Sequence, residues 1–365
     1  MEHAGARFTP PFCPSHHCRF HLGAAGWHWV RHGTYPRRCE PRSIPRFRCR
    51  HCGVTFSSQT FSTTYYLKRP ELQIPLFHRL IACSGYRQMA REMRCSPTSL
   101  MGQAARLGRH ALLVLHHLRP RSAPKEPLVI DGFESFAYSQ YHPLHLNLAV
   151  GAESHYVYGF THAELRRKGS MREAQRRKRA ALEQRYGRPD PKAIEHGVAD
   201  LLRLAAPEPT TLVVRSDEHP AYPRALHRLK GWTIRHERTP SVQARTPGNP
   251  LFPVNLMDLL LRHNSANHKR ETIAFSKRRQ SAAERLWLTL VWRNYVKSFS
   301  ERKRDATPAM RAAVCGTRWS LQAILAERRF ISQVQLPERW ERYYWGRTPT
   351  RGLPRARAHT LRYAA

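Results

Sequence analysis

Two aspartates stand just past short runs of apolar, β-prone residues, Pro127-Leu-Val-Ile-Asp131 and Thr211-Leu-Val-Val-Arg-Ser-Asp217. A buried strand that ends in Asp holds the carboxylate at the rim of a sheet, where two neighbouring strands can bring such groups together on divalent cations. Carboxylates paired in that way serve phosphoryl transfer, because hard cations between them neutralise charge on an attacked phosphate. A third carboxylate is expected from a helix packed against the first strand. Glu284 is the candidate: it opens an apolar helical run containing Leu286, Leu288, Leu290, Val291, Tyr295 and Val296. An acid in a first helical turn also complements the helix dipole. The cations that precede it, among them His263, Lys277 and Arg278, favour a ligand, since they would position a phosphate backbone.

Five of the eight cysteines fall before residue 53, so they are clustered rather than scattered. Cys49-Arg-His51-Cys52-Gly53 has the spacing of a zinc knuckle, two thiolates bracketing a tight turn whose glycine permits the backbone twist. A second pair must complete a tetrahedron. Cys13 and Cys18 supply it, with His16 as the alternative fourth ligand, nearer to Cys13 in the chain. Cys39 has no partner at ligand spacing.

Holding these groups in place takes several kinds of element. From Glu71 to about Leu118 the pattern is helical, with Ile74, Phe77, Leu80 and Ile81 on one face. Tyr86 to Met93 predicts a short helix and Arg94-Cys95 a turn; Ser96-Pro97 reads as an N-cap followed by proline at the first helical position. With Arg87 and Arg91 on the short helix this reads as a helix-turn-helix, a plain helical connector being the alternative. The proline-rich stretch up to Pro127 reads as a linker. Val129-Ile130, Leu144 to Val150 and Tyr156 to Phe160 then predict a three-stranded meander. A crossover helix over Ile194 to Leu204 and a parallel strand over Leu212 to Val214 follow. Meander, helix and parallel strand are the opening of a ribonuclease-H-like α/β fold.

Sixty-two Lys and Arg against 26 Asp and Glu leave a formal charge of +36, more than solubility calls for, so a polyanionic partner is expected. Arg dominates, and guanidinium forks suit phosphate; Arg176 and Arg177, in a run with Lys178 and Arg179, are candidates for phosphate contact. No apolar stretch is long enough to span a membrane, and no signal-peptide h-region is visible. These features predict a chain in a reducing cytoplasm, associated with the nucleoid.

The motifs together resemble bacterial insertion-sequence transposases of the Asp-Asp-Glu superfamily, and are most similar to the insertion sequence one family. Cys13-Pro14 with Cys49 and Cys52, then Phe56-Ser57 and Thr60-Phe61-Ser62, resemble that family's zinc ribbon. Asp131 followed by Ser135 and Phe136 is similar to its first acidic motif, and Ser216-Asp217 with Tyr222 to its second. His263 with Arg270-Glu-Thr272-Ile273-Ala-Phe275-Ser276 is similar to its third. The resemblance implies a zinc-ribbon domain over 1–68, a helix-turn-helix region over 69–120, a linker over 121–127, a ribonuclease-H-like catalytic domain over 128–300 and a basic aromatic region over 301–365. It implies Zn2+ on the cysteines and Mg2+ or Mn2+ on Asp131, Asp217 and Glu284. Double-stranded DNA is the implied partner, with a homo-oligomer joining paired ends. One departure bears on activity: counted from Phe275-Ser276, the family's glutamate falls at Gln280, one helical turn before Glu284. The alternatives are therefore a non-catalytic DNA-binding remnant, or a nuclease that cuts without joining.

Overall fold

Near its start the chain forms a small antiparallel sheet of three strands, β1 (Trp29–Pro36), β2 (Ser43–Cys49) and β3 (Thr55–Ser57), in the order β1-β2-β3. The computed structural model describes residues 8–326 and 328–354, so the outer ends of the expected 1–68 and 301–365 regions lie outside the described residues. A sheet this small cannot bury much apolar area by itself. Its core is aromatic instead, with Phe47, Phe56, Phe61 and Trp27 buried together. Phe330, from the far end of the chain, is fully buried among them. The Arg328 N–H donates to the Phe61 carbonyl at 3.1 Å, and Gln333 Nε2 donates to the His21 carbonyl at 2.9 Å. The C-terminal segment thus completes this first unit.

Three helices follow: α1 (Gln73–Ile81), α2 (Tyr86–Glu92) and α3 (Pro97–Leu118). Ser96 caps α3, its hydroxyl accepting from the Ser99 N–H at 3.1 Å, with Pro97 in the first turn where no N–H is needed. The first residues of α3 are exposed; Leu107, Ala111, Leu112 and Leu115 further along are buried.

The main sheet starts with a meander, β4 (Leu128–Phe136), β5 (Pro143–Gly151) and β6 (Val157–Glu164), all antiparallel. Helices α4 (Glu173–Tyr186) and α5 (Ala193–Ala205) lead to β7 (Thr211–Ser216), which runs parallel to β4. Helix α6 (Ala221–Leu226) then leads to β8 (Thr233–Arg238), parallel to β7, and gives the strand order β6-β5-β4-β7-β8. This is a mixed sheet in an α/β architecture. After α7 (Phe252–Asn264) and α8 (Arg279–Val291) come three short helices, α9 (Pro308–Arg311), α10 (Leu321–Ala326) and α11 (Glu338–Tyr344).

The two faces of the sheet are covered by different helices. Gly197 of α5 lies so close to Asn147 and Thr161 that a Cβ would sit 2.8 Å from each side chain. Asp131 is paired with Leu148, the neighbour of Asn147, and successive residues of a strand point to opposite faces, so Asp131 points away from α5. That opposite face is where α7 packs on β4 and β5. Helix α8 lies against α3, and Gly108 permits the approach: a Cβ there would be 2.4 Å from the Glu284 carbonyl oxygen. A π-helical turn, Trp292–Val296, extends α8. Its Asn294 side chain bonds both the N–H and the carbonyl of Val157 at 2.9 Å, occupying the outer edge of β6 as a further strand would. Trp340 and Tyr343 of α11 are buried in the main core, so the aromatic residues of the C-terminal region serve packing.

Candidate carboxylate site and thiol cluster

Leu128, Val129 and Ile130 are all buried, as a strand in the middle of a covered sheet requires, and Asp131 follows where the burial begins to relax. Leu128 pairs with Val214 and Val129 with Arg215, so the offset between these parallel strands is 86 residues. Asp131 and Asp217 are separated by the same offset. The two carboxylates therefore continue the same register just past the last paired residues, close enough for the Asp217 charge to act on Asp131.

The surroundings of Asp131 disfavour its charge. Burial raises its pKa to about 6, with the neighbouring Asp217 charge adding to it against the opposing Gly132 N–H. Tyr222 donates its hydroxyl to Asp131 Oδ1 at 3.1 Å. Burial and the aspartate charges hold the Tyr222 pKa well above the ordinary value, so it remains a donor. Asp217 is oriented by the His219 N–H, which donates to its Oδ1 at 2.8 Å.

A third carboxylate, Asp258 of α7, lies beside Asp131. Burial, then the charge of Asp131, raise the pKa of Asp258 well above its ordinary value. Its Oδ1 is buried and has no hydrogen-bond partner among the described residues. A carboxylate oxygen left so, beside a second carboxylate, demands either a proton or a cation. One turn further along α7, the Arg262 guanidinium lies 4.7 Å from the Phe133 ring centre and donates to the carbonyls of Glu134 and His268 at 3.3 and 3.2 Å. Arg245 acts electrostatically on both Asp131 and Asp258. Asp131, Asp258, Arg245, Arg262 and Arg270 line one groove of about 470 Å³. Oxygen ligands for a hard cation and guanidinium donors for a phosphate thus face the same space.

Glu284 is elsewhere. Its carboxylate lies 3.7 Å from Arg109 and accepts from Gln280 Nε2 at 3.0 Å, on the side of α8 turned to α3. Gln280 is also buried and donates to the Tyr343 carbonyl at 2.7 Å. The structure therefore brings Asp131 and Asp217 together but not Glu284 with them. The physical reason is that α8 is buried on almost every side, so an acid on it meets a helix partner, and Gly108 draws α3 onto that very residue. The one sequence signal for Asp258 is that it is the lone acid in the apolar helix Phe252-Pro-Val-Asn-Leu-Met-Asp-Leu-Leu-Leu, which does not say what that acid faces.

The expected phosphate contacts lie at several places. His263 and Lys277 are exposed, Lys277 stacking its ammonium 3.7 Å from the Phe275 ring centre. Arg278 donates to the Pro354 carbonyl at 2.8 Å. Arg87 and Arg91 are exposed on α2. Arg176 and Arg177 share Glu173 at 3.0 and 3.2 Å on α4, a helix that buries none of its residues.

The thiol groups of Cys13, Cys18, Cys49 and Cys52 lie within 4.8 Å of one another, the one such group of metal-ligand side chains among the described residues. Four sulfur donors at that spacing suit a tetrahedral zinc site. His16 is exposed and stacks on His17 instead, which resolves the fourth ligand in favour of Cys18. Burial raises the Cys49 pKa, but the Trp27 indole N–H, at 3.2 Å, and the backbone N–H groups of Cys52 and His51 outweigh it and bring the thiol down to about 6. A thiolate is the form that ligates.

No protein-family model matches the chain, and no curated protein matches it. Among solved structures it is similar to a chain of the cryo-EM structure of the simian T-cell lymphotropic virus intasome in complex with PP2A regulatory subunit B56 gamma. Identity is 16%, coverage is 64% of this chain and 70% of that one, and the TM-score is 0.27. A likeness at that score carries no weight for fold or function.

Proposed function

We propose that this chain is a metal-dependent DNA transposase of the insertion-sequence type, cutting and joining DNA on a ribonuclease-H-like core. The observation that carries the reading is that Asp131, whose neighbour on the adjacent strand is Asp217, shares an arginine-lined groove with the partnerless oxygen of Asp258, within a chain of formal charge +36. The motif resemblance supports the same reading, with Asp258 in place of Glu284. Asp131, Asp217 and Asp258 would hold Mg2+ or Mn2+, which when bound supplies neutralising charge and lowers the pKa of an oxygen nucleophile. Tyr222 and the His219 N–H keep the first two carboxylates oriented. Arg245, Arg262 and Arg270 hold the phosphate backbone across the groove. Arg87 and Arg91 on α2 and the exposed start of α3 meet the duplex; Arg176 and Arg177 on α4 add sequence-independent contacts. The four thiolates hold Zn2+ and fix the small sheet. Joining two DNA ends calls for a homo-oligomer.

Purified protein with Mg2+ should nick DNA carrying its element's ends, and Asp131→Asn should abolish nicking while leaving DNA binding intact. Full nicking by that variant would overturn the assignment. One observation favours a second reading, a DNA-binding remnant without catalysis: the position of the family's glutamate holds Gln280, bonded to the Tyr343 carbonyl. On that reading the wild-type chain binds DNA and never cuts it.

A further inference from the structure

The outer edge of the sheet holds a second basic site. Helix α5 covers β6 on one face, and α11 passes on the other with its Tyr343 hydroxyl accepting from the His162 N–H at 3.3 Å. Between α5 and α11 lies a cavity of about 940 Å³ lined by Arg203, Arg228, Arg279, Arg339, Arg342 and Arg347, with Asp200 and Glu338 its only carboxylates among the described residues. Asp200 pairs with Arg203 at 3.2 Å and Arg339 at 2.6 Å, and Glu338 pairs with Arg342. Behind the lining, Glu195 pairs with Arg224 and Arg228, and Glu164 with Arg279 and Arg351. With Asp190, which pairs with the lining His196 at 2.9 Å, the whole cluster has eight arginines against five acids, and its positive excess survives the inclusion of these paired acids. Among the described residues Arg347 makes no ion pair.

Structural ion pairing would bring such a cluster near neutrality, because like charges beside low-dielectric walls repel. Here the walls include Leu204, Trp340 and Pro349, and the excess remains. Several guanidinium forks converging on one concave space suit a run of phosphate groups better than a single carboxylate. The cavity is also separate from the carboxylate groove, with which it shares no lining residue.

We propose that the cavity between α5 and α11 is a second phosphate-backbone site, which seats DNA beyond the segment held at Asp131, Asp217 and Asp258. This rests on the DNA reading above. Each cation that meets a phosphate contributes to the salt dependence of binding, and Arg203, Arg342 and Arg347 are exposed enough to be removed without disturbing the core. The test is fluorescence anisotropy with mixed-sequence duplex DNA over a range of salt, comparing wild type, the triple variant Arg203→Ala, Arg342→Ala, Arg347→Ala, and Glu338→Gln. The triple variant should bind more weakly, with a slope of log K on log salt shallower by about 2.7 if all three meet phosphates. Glu338→Gln frees Arg342 and should bind more tightly, a gain that misfolding cannot produce. Wild-type affinity and slope in both variants would overturn this site and leave the DNA reading standing. A wild type that binds no DNA would overturn both.

Discussion

Replacing Asp131 by Asn should stabilise the metal-free protein, and only above the acid range. The carboxyl has a pKa of about 6 against an ordinary value of 3.8, because it is buried beside Asp217. The native state therefore binds this proton more tightly than the unfolded chain does. The contribution to stability consequently falls as pH rises from about 4 to above 6, by about 3 kcal/mol in total. His116 and His268 pull the other way: burial lowers each to about 3, so the unfolded chain binds their protons more tightly and stability rises with pH. The comparison must for that reason be between variant and wild type at each pH, where the histidine contributions cancel. Thermal unfolding in Mg2+-free buffer, without a chelator that would strip the thiol site, should give similar Tm values at pH 4. At pH 7.5 the variant should melt several degrees higher, as expected for a difference of about 3 kcal/mol in a chain of this size. Adding Mg2+ at pH 7.5 should raise the wild-type Tm and leave the variant unmoved. A Tm difference that stays constant from pH 4 to 7.5 would refute the buried-carboxylate account.

Gly132→Ala should cost about 3 kcal/mol or more, read from denaturant unfolding, since its Cβ would sit 2.2 Å from the Leu146 carbonyl oxygen, a backbone atom that cannot turn aside. Metal analysis should find one Zn2+ per chain on the four thiols, and Cys49→Ser should lose it and change the emission of the neighbouring Trp27. Glu284→Gln removes a carboxylate whose pKa burial raises in spite of Arg109, so at pH 7.5 it should not lower the Tm, and it should leave the response to Mg2+ unaltered.

What could be read in the sequence followed from local patterns. The strand at Val129-Ile130, the meander, the crossover helix and the parallel strand are marked by apolar runs between turn residues, and the folded chain has β4 to β7 and α5 at those places. Ser96 and Pro97 marked the start of α3 because an N-cap and a first-turn proline are short-range effects. The thiol spacing identified the four cysteines, and the structure chose Cys18 over His16. The strand offset that levels Asp131 with Asp217 was present in their separation, yet only pairing reveals it. The third acid was illegible for a related reason. Neighbouring cations recommended Glu284, but which face of α8 meets α3 is decided by Gly108, nearly two hundred residues earlier. Asp258 reaches the sheet because α7 packs on β4, a contact no local period encodes. Phe330 likewise joins the aromatic core of the first unit from the far end of the chain.

The most direct test of the carboxylate assignment is Mg2+-dependent cleavage and strand transfer on DNA carrying the element's ends, with wild type, Asp258→Asn and Glu284→Gln side by side. The account predicts that wild type and Glu284→Gln cut and join, while Asp258→Asn binds the same DNA and does neither. Activity retained by Asp258→Asn and lost by a folded Glu284→Gln would contradict it.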